Sequence, residues 1–252
     1  MPNLPLHIYL ASRAAEQLDW GHLSSHVGSL FLGSTAPDIR AMTKWPRERT
    51  HFAPITVEAV GTGARAMFEQ YPELADARSL SPASQAFLLG YISHLAADEV
   101  WITTVFQVYF DNRSTVAGSE VEAHIWDRAL QLDMDRQALP EIHGHRQAGE
   151  AMACAEQGVQ VGFLEADVLQ EWREWVRRFV GWDFTWERLK RALNRMYRDN
   201  DEVQQAVERF LQGMPHSLER VYQKIPEARL AAYQTQVTKE TVAQAREYLS
   251  GA

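Results

Sequence analysis

The chain has 252 residues, of which 46% are hydrophobic and 23% charged, with a formal net charge of −8 and a single cysteine. That is material for one large domain or two small ones. The acidic balance argues against a general nucleic-acid binder, and one cysteine excludes an intrachain disulfide framework. No run approaches the roughly 18 apolar residues of a membrane span. The opening MPNLPLHIYLASRAAEQL has no basic region ahead of its short apolar stretch. No signal peptide is read there, and a cytoplasmic location is expected.

Helical periodicity dominates and strand alternation is scarce, which predicts an all-α, multi-helix bundle with a C-terminal helical extension. Helices are expected over about 5–19, 24–34, 53–71, 81–110, 119–137, 140–157, 163–180, 184–212, 214–224 and 237–250. The start at SPASQ is well marked, with Ser81 as cap and Pro82 in the first turn. The Gly- and Pro-containing zone around 138–162 is the weakest point in the chain. It is expected to divide 1–137 from a C-terminal helical region, 138–252, which could also pack into the same domain. In the latter, Trp172, Trp175, Trp182 and Trp186 recur at helical spacing and are read as core or interface packing. Cys154, in EAMACAEQG, reads as a buried structural thiol. His22 and His26 read as surface or capping residues, and His216, after Pro215 near a helix start, reads as unremarkable.

The stretch FLLGYISHLAADEVW carries His94 and Asp98 one helical turn apart, on a helix apolar nearly all round. Such a helix is buried, and an unpaired buried carboxylate costs several kcal/mol. Asp98 therefore needs a compensating charge. His7 stands in the first apolar helix, Asp38 in LGSTAPDIR, His51 in RERTHFAP, and His124 and Asp127 in EAHIWDRAL. Singly, each has an ordinary reading as a capping, turn or surface residue. Together, histidine nitrogen and carboxylate oxygen are the ligands zinc takes where thiolates are absent. A bound dication would answer the need of Asp98. Removing Asp98 from the metal-free protein is then expected to be neutral or stabilising.

The pieces LHIYLA, LGSTAPDI, RTHF and FLLGYISHLAAD, in this order, resemble the zinc-dependent phospholipase C family, akin to the single-strand-specific zinc nucleases. The resemblance covers roughly residues 1–130. It implies an α-helical fold with zinc ions in a cleft. By position, Asp38, His51, His94 and Asp98 match the ligands of one zinc, with Asp98 bridging to a second that His7 also holds. In secreted relatives the processed amino terminus completes that second site; here MPNLPL precedes His7. For a third zinc, relatives have a histidine where this chain has Thr104, and a histidine–carboxylate pair where it has His124 and Asp127, one residue closer together. His143 and His145 are left out of the set. Two ions are expected, with the third site weakened.

The segment RAMTKWPRERT, between Asp38 and His51, holds Arg40, Lys44, Arg47 and Arg49. Arginine forks fit phosphate oxygens, so this basic loop is expected to bind substrate phosphate. The expected function is a metal-dependent phosphoesterase (a phospholipid or small phosphodiester as substrate), with Asp38 orienting the attacking water or accepting its proton. No stable nucleic-acid partner is expected. Two alternatives stay open: a nucleotide or single-stranded nucleic-acid phosphohydrolase, and a non-catalytic helical protein with a structural metal.

Overall fold

The computed structural model describes residues 3–111, 116–144, 151–197 and 200–251. Every regular element among them is helical. Ten helices matter for the site: α1 (Leu4–Ala15), α2 (Leu23–Thr35), α3 (Thr62–Gln70), α4 (Pro82–Trp101), α5 (Glu120–Gly144), α6 (Ala166–Val180), α7 (Glu187–Met196), α8 (Asp201–Gln212), α9 (His216–Lys224) and α10 (Glu227–Ser250). Among the described residues, no helix is long and apolar enough to cross a membrane.

The centre of the molecule is α4, buried along almost its whole length as its sequence predicts. Ser81 caps it by accepting the Ser84 amide at 3.1 Å, with Pro82 in the first turn. Its axis continues through a π-helical segment, Ile102–Phe106, into Gln107–Tyr109. This accounts for the expected long helix over 81–110.

Helix α2 lies against α4 at backbone contact. A Cβ on Gly33 would sit 1.9 Å from the Phe87 carbonyl oxygen, and one on Gly90 would sit 2.0 Å from that of Leu30. Only glycine permits this approach, and it brings the C-terminal end of α2 beside His94. Helix α1 presents Leu4, Leu6, His7, Ile8, Leu10 and Ala11 to the same core. Its amino-terminal end is fastened to α5 by Asp135, which accepts hydrogen bonds from Asn3 Nδ2 at 2.7 Å and from the Leu6 amide at 3.2 Å. Helix α10 packs on α1 and α4, where the Tyr233 hydroxyl donates to the Ala97 carbonyl and its ring meets Trp101 edge-on.

Several boundaries differ from the sequence reading. The helix expected over 53–71 begins only at Thr62. Pro54 and the β-branched run after it disfavour an early start, and Glu99 holds the amides of Gly61 and Gly63 at 2.5 and 2.6 Å, fixing the loop before the helix. The span 184–212 is two helices, α7 and α8. The final helix starts at Glu227 rather than 237. The helix expected over 140–157 falls partly outside the described residues; its first turn belongs to α5, which runs through Pro140. Cys154 is exposed, not buried. It sits in a short 3-10 turn, Met152–Cys154, that gives it no inward face. Among the tryptophans, Trp172 is fully buried and donates to Thr35 Oγ1, whereas Trp182, beyond the end of α6, is 52% exposed.

Candidate metal centre

Four elements converge on one buried point. His7 comes from the first turn of α1. Asp38 comes from the 3-10 turn Ala36–Ile39 that ends α2, His51 from a single helical turn, Glu48–His51, and His94 and Asp98 from the middle of α4. His7, His51, His94 and Asp98 are each 1% exposed or less; Asp38 is the partly exposed member. His7, His94 and Asp98 form one group of candidate ligand atoms within 4.8 Å of one another, and Asp38, His51 and His94 form a second.

The spacing within the cluster suits a tetrahedral ion. Zinc–nitrogen bonds of about 2.0–2.1 Å place neighbouring ligand atoms about 3.3–3.4 Å apart. His51 Nε2 lies 3.4 Å from His94 Nε2 and 3.3 Å from Asp98 Oδ2. Asp38 Oδ1 is 3.8 Å from His51 Nε2, and Asp98 Oδ2 is 3.9 Å from His94 Nε2. On the other side of the carboxylate, His7 Nε2 is 3.6 Å from Asp98 Oδ1.

Local partners aim the imidazoles. His94 Nδ1 donates to the Ser34 carbonyl at 2.8 Å, which leaves Nε2 bare toward the cluster. The His7 ring stacks on His94 with centroids 3.7 Å apart. His51 has a partner in either tautomer. With the proton on Nε2 it donates to Asp98; with the proton on Nδ1 it donates to Thr50 Oγ1 at 3.1 Å, whose hydroxyl can turn to the Arg47 carbonyl. His51 can therefore become a ligand without moving. Among the described residues, neither nitrogen of His7 has a hydrogen-bond partner, nor does Asp98 Oδ1. Buried polar atoms are normally satisfied, and this orphaned pair faces the same point.

Burial, reinforced by the nearby His94, pushes the His7 imidazole well below its usual range, and burial also lowers His51. Both are neutral and ready to ligate near pH 7. For Asp98, burial alone would raise the carboxyl. The hydrogen bond from His51, together with the nearby His94 imidazole and the Arg47 guanidinium, outweighs it and holds the carboxyl well below the usual carboxylate range.

The need of Asp98 for positive charge has a partner the sequence reading did not give it. Arg47 Nη2 donates to Asp98 Oδ2 at 3.0 Å. Removal of Asp98 from the metal-free protein, expected to be neutral or stabilising, would strand this guanidinium; that expectation is corrected. The pairing is encoded in RERTH, where Arg47 precedes the candidate ligand His51 by one turn. Glu99, beside Asp98, was also missed. Its only cue is that neighbouring positions on a helix buried all round share the interior. The other basic-loop residues face differently. Arg49 lies over the Trp45 ring at 3.5 Å, Arg40 Nε donates to the Trp45 carbonyl, and Lys44 Nζ to that of Ala41.

His124 and Asp127 stand outside both ligand groups. His124 Nδ1 is hydrogen-bonded to the Tyr197 hydroxyl, and Asp127 Oδ1 accepts from Trp101 Nε1 at 2.9 Å. Thr104 lies in the π-helical segment, and its hydroxyl donates back to the Val100 carbonyl. His145 and the side chain of His143 lie outside the described residues.

An all-helical frame around paired histidines and carboxylates defines a class: a helical protein with a buried site suited to a divalent metal. Residues 6–125 match the zinc dependent phospholipase C family model, from α1 into the first turns of α5, and all five converging residues fall inside the match. Over that stretch the chain is similar to this family. No curated protein and no solved structure matches the chain.

Proposed function

We propose that the protein is a zinc-dependent phosphoesterase acting on a phospholipid or a similar small phosphodiester. The observation that carries this reading is the convergence of His7, Asp38, His51, His94 and Asp98 around unsatisfied buried nitrogen and oxygen atoms. Asp38, His51, His94 and Asp98 would hold one ion, and Asp98 with His7 a second. Bound zinc supplies Lewis acidity toward a phosphoryl oxygen and activates water near neutral pH.

The chain's own residues then divide the work. Asp38, the partly exposed member of the cluster, would orient an attacking water and accept its proton. Arg40, Lys44 and Arg49, on the loop between two ligands, would form a basic rim that offsets charge on the phosphoryl group. Arg47 reaches a substrate only by leaving Asp98. His124 and Asp127 would complete a third ion only by giving up Tyr197 and Trp101.

A structural metal is a second reading, favoured by the near-complete burial of four of the five residues. Elemental analysis of protein purified without chelator, followed by assay on a chromogenic phosphodiester and on phosphatidylcholine, separates the two. Zinc at one to two ions per chain with chelator-sensitive hydrolysis supports the phosphoesterase. Zinc without hydrolysis of any phosphoester leaves the structural metal. Protein that binds no metal even after zinc dialysis overturns both.

A further inference from the structure

Arg47 is unusual among the basic-loop residues. Its side chain is 12% exposed, its Nη2 rests on Asp98 Oδ2 at 3.0 Å, and its Nε and Nη1 are buried with no hydrogen-bond partner among the described residues. The same oxygen lies 3.3 Å from His51 Nε2 and 3.9 Å from His94 Nε2. The guanidinium thus stands on the one carboxylate oxygen that both candidate imidazoles of the Asp38 site also face. A buried carboxylate between bare imidazole nitrogens needs a cation nearby, and in this arrangement the arginine is that cation.

We propose that Arg47 is a tethered stand-in cation, which competes with metal for Asp98 Oδ2 and so sets how tightly the centre holds its ion. The inference rests on the metal-centre reading above. Without metal, Arg47 keeps the centre folded by neutralising Asp98, and metal loading exchanges its single charge for a dication. The tether is short, because the Arg47 carbonyl accepts the His51 amide at 2.8 Å. Arginine cannot lose its proton at any accessible pH, so the competition persists across the working range. Only displacement removes it.

The test is zinc titration by calorimetry on full-length wild type, Arg47→Gln and Arg47→Lys, with thermal melts of the same proteins in chelator. Competition by a charge-assisted contact predicts that Arg47→Gln binds zinc about ten- to a hundredfold more tightly than wild type. It also predicts a lower melting temperature without metal, with the difference shrinking at saturating zinc. Arg47→Lys, which keeps the charge, stays close to wild type in affinity. Should Arg47→Gln be unfolded in chelator, added zinc restores its helical signal. Equal affinity in wild type and Arg47→Gln overturns the proposal and leaves the metal centre standing. Weaker binding by Arg47→Gln overturns it in favour of an arginine that orients Asp98 as a ligand. Absence of binding in every variant overturns the metal centre and the proposal together, whereas binding by Arg47→Gln alone would mean that Arg47 excludes metal outright.

Discussion

The first turn of α1 lies between two buried carboxylates that have opposite fates. Asp98 faces His7 from one side, among Arg47, His51 and His94, and its carboxyl is held well below the usual range. Asp135 grips the same turn from the other side, through Asn3 and the Leu6 amide, and burial pushes its carboxyl up to about 7. Both are 1% exposed or less. Burial is common to the two; the difference lies in the neighbours. Close imidazole and guanidinium partners keep Asp98 ionised, whereas the amide donors of Asp135, helped only weakly by the charge of Arg188, offset its desolvation in part. One pocket is poised to take a cation, and the other is a clamp whose burial favours the protonated carboxyl.

The largest effect should come from breaking the charged side. In chelator, Asp98→Ala leaves Arg47 as an uncompensated, largely buried charge and should lower unfolding free energy by about 3–5 kcal/mol. Urea denaturation with and without Arg47→Gln in the same chain checks this, because the double variant should recover much of the loss. A negligible effect of Asp98→Ala would mean that the pair is only a surface contact.

Next comes pH. The folded-state carboxyl of Asp135 is raised, so its contribution is fully present below the unfolded value near 4 and is lost as pH rises through about 7. Asp98 runs the other way, because its carboxyl is lowered; its contribution is present above the unfolded value and lost as pH falls below it. Asp135→Asn should therefore gain on wild type by about 2–4 kcal/mol between pH 4 and pH 7.5. Denaturation midpoints at the two pH values test this, and parallel curves would sink it.

A smaller effect is expected at Glu99, whose two carboxylate oxygens hold the amides of Gly61 and Gly63. Glu99→Gln keeps one acceptor and turns an amide nitrogen on the other, at a cost of about 1–2 kcal/mol in unfolding free energy. The smallest change in stability belongs to Arg49→Gln, which removes an exposed cation from the Trp45 ring and should shift stability by less than about 1 kcal/mol. If the basic rim binds phosphate, the same variant lowers kcat/KM on a turned-over phosphodiester by about tenfold or more. Unchanged kinetics would leave the rim as a solvated face.

The helical frame was legible because α4 is apolar all round and carries its own start signal at Ser81 and Pro82. The converging ligand types were legible too, since histidine and aspartate stand out in such a helix. What sequence could not give was direction. Arg40, Lys44, Arg47 and Arg49 look alike in a string, yet only Arg47 turns inward, because a single helical turn places it over Asp98. His124 and Asp127 have ligand chemistry and nearly ligand spacing, but Tyr197 and Trp101 arrive from distant segments to take their polar atoms. The delayed start of α3 depends on Glu99, a long-range contact that local propensity cannot report.

The centre draws its atoms from positions 7 through 98, so no part of the chain shorter than this can assemble it. At a translation rate of about 5–20 residues per second, α1 leaves the ribosome several seconds or more before α4 exists to receive it. During that interval His7 and its apolar neighbours have no native partner, and α2, which must touch α4 backbone to backbone, has none either. Metal captured early would find only His7, Asp38 and His51 on an unstructured segment. Completion of the site is thus a late event in biogenesis, timed by the emergence of one central helix, and a chain truncated before Asp98 should be cleared as unfolded protein whatever the supply of metal.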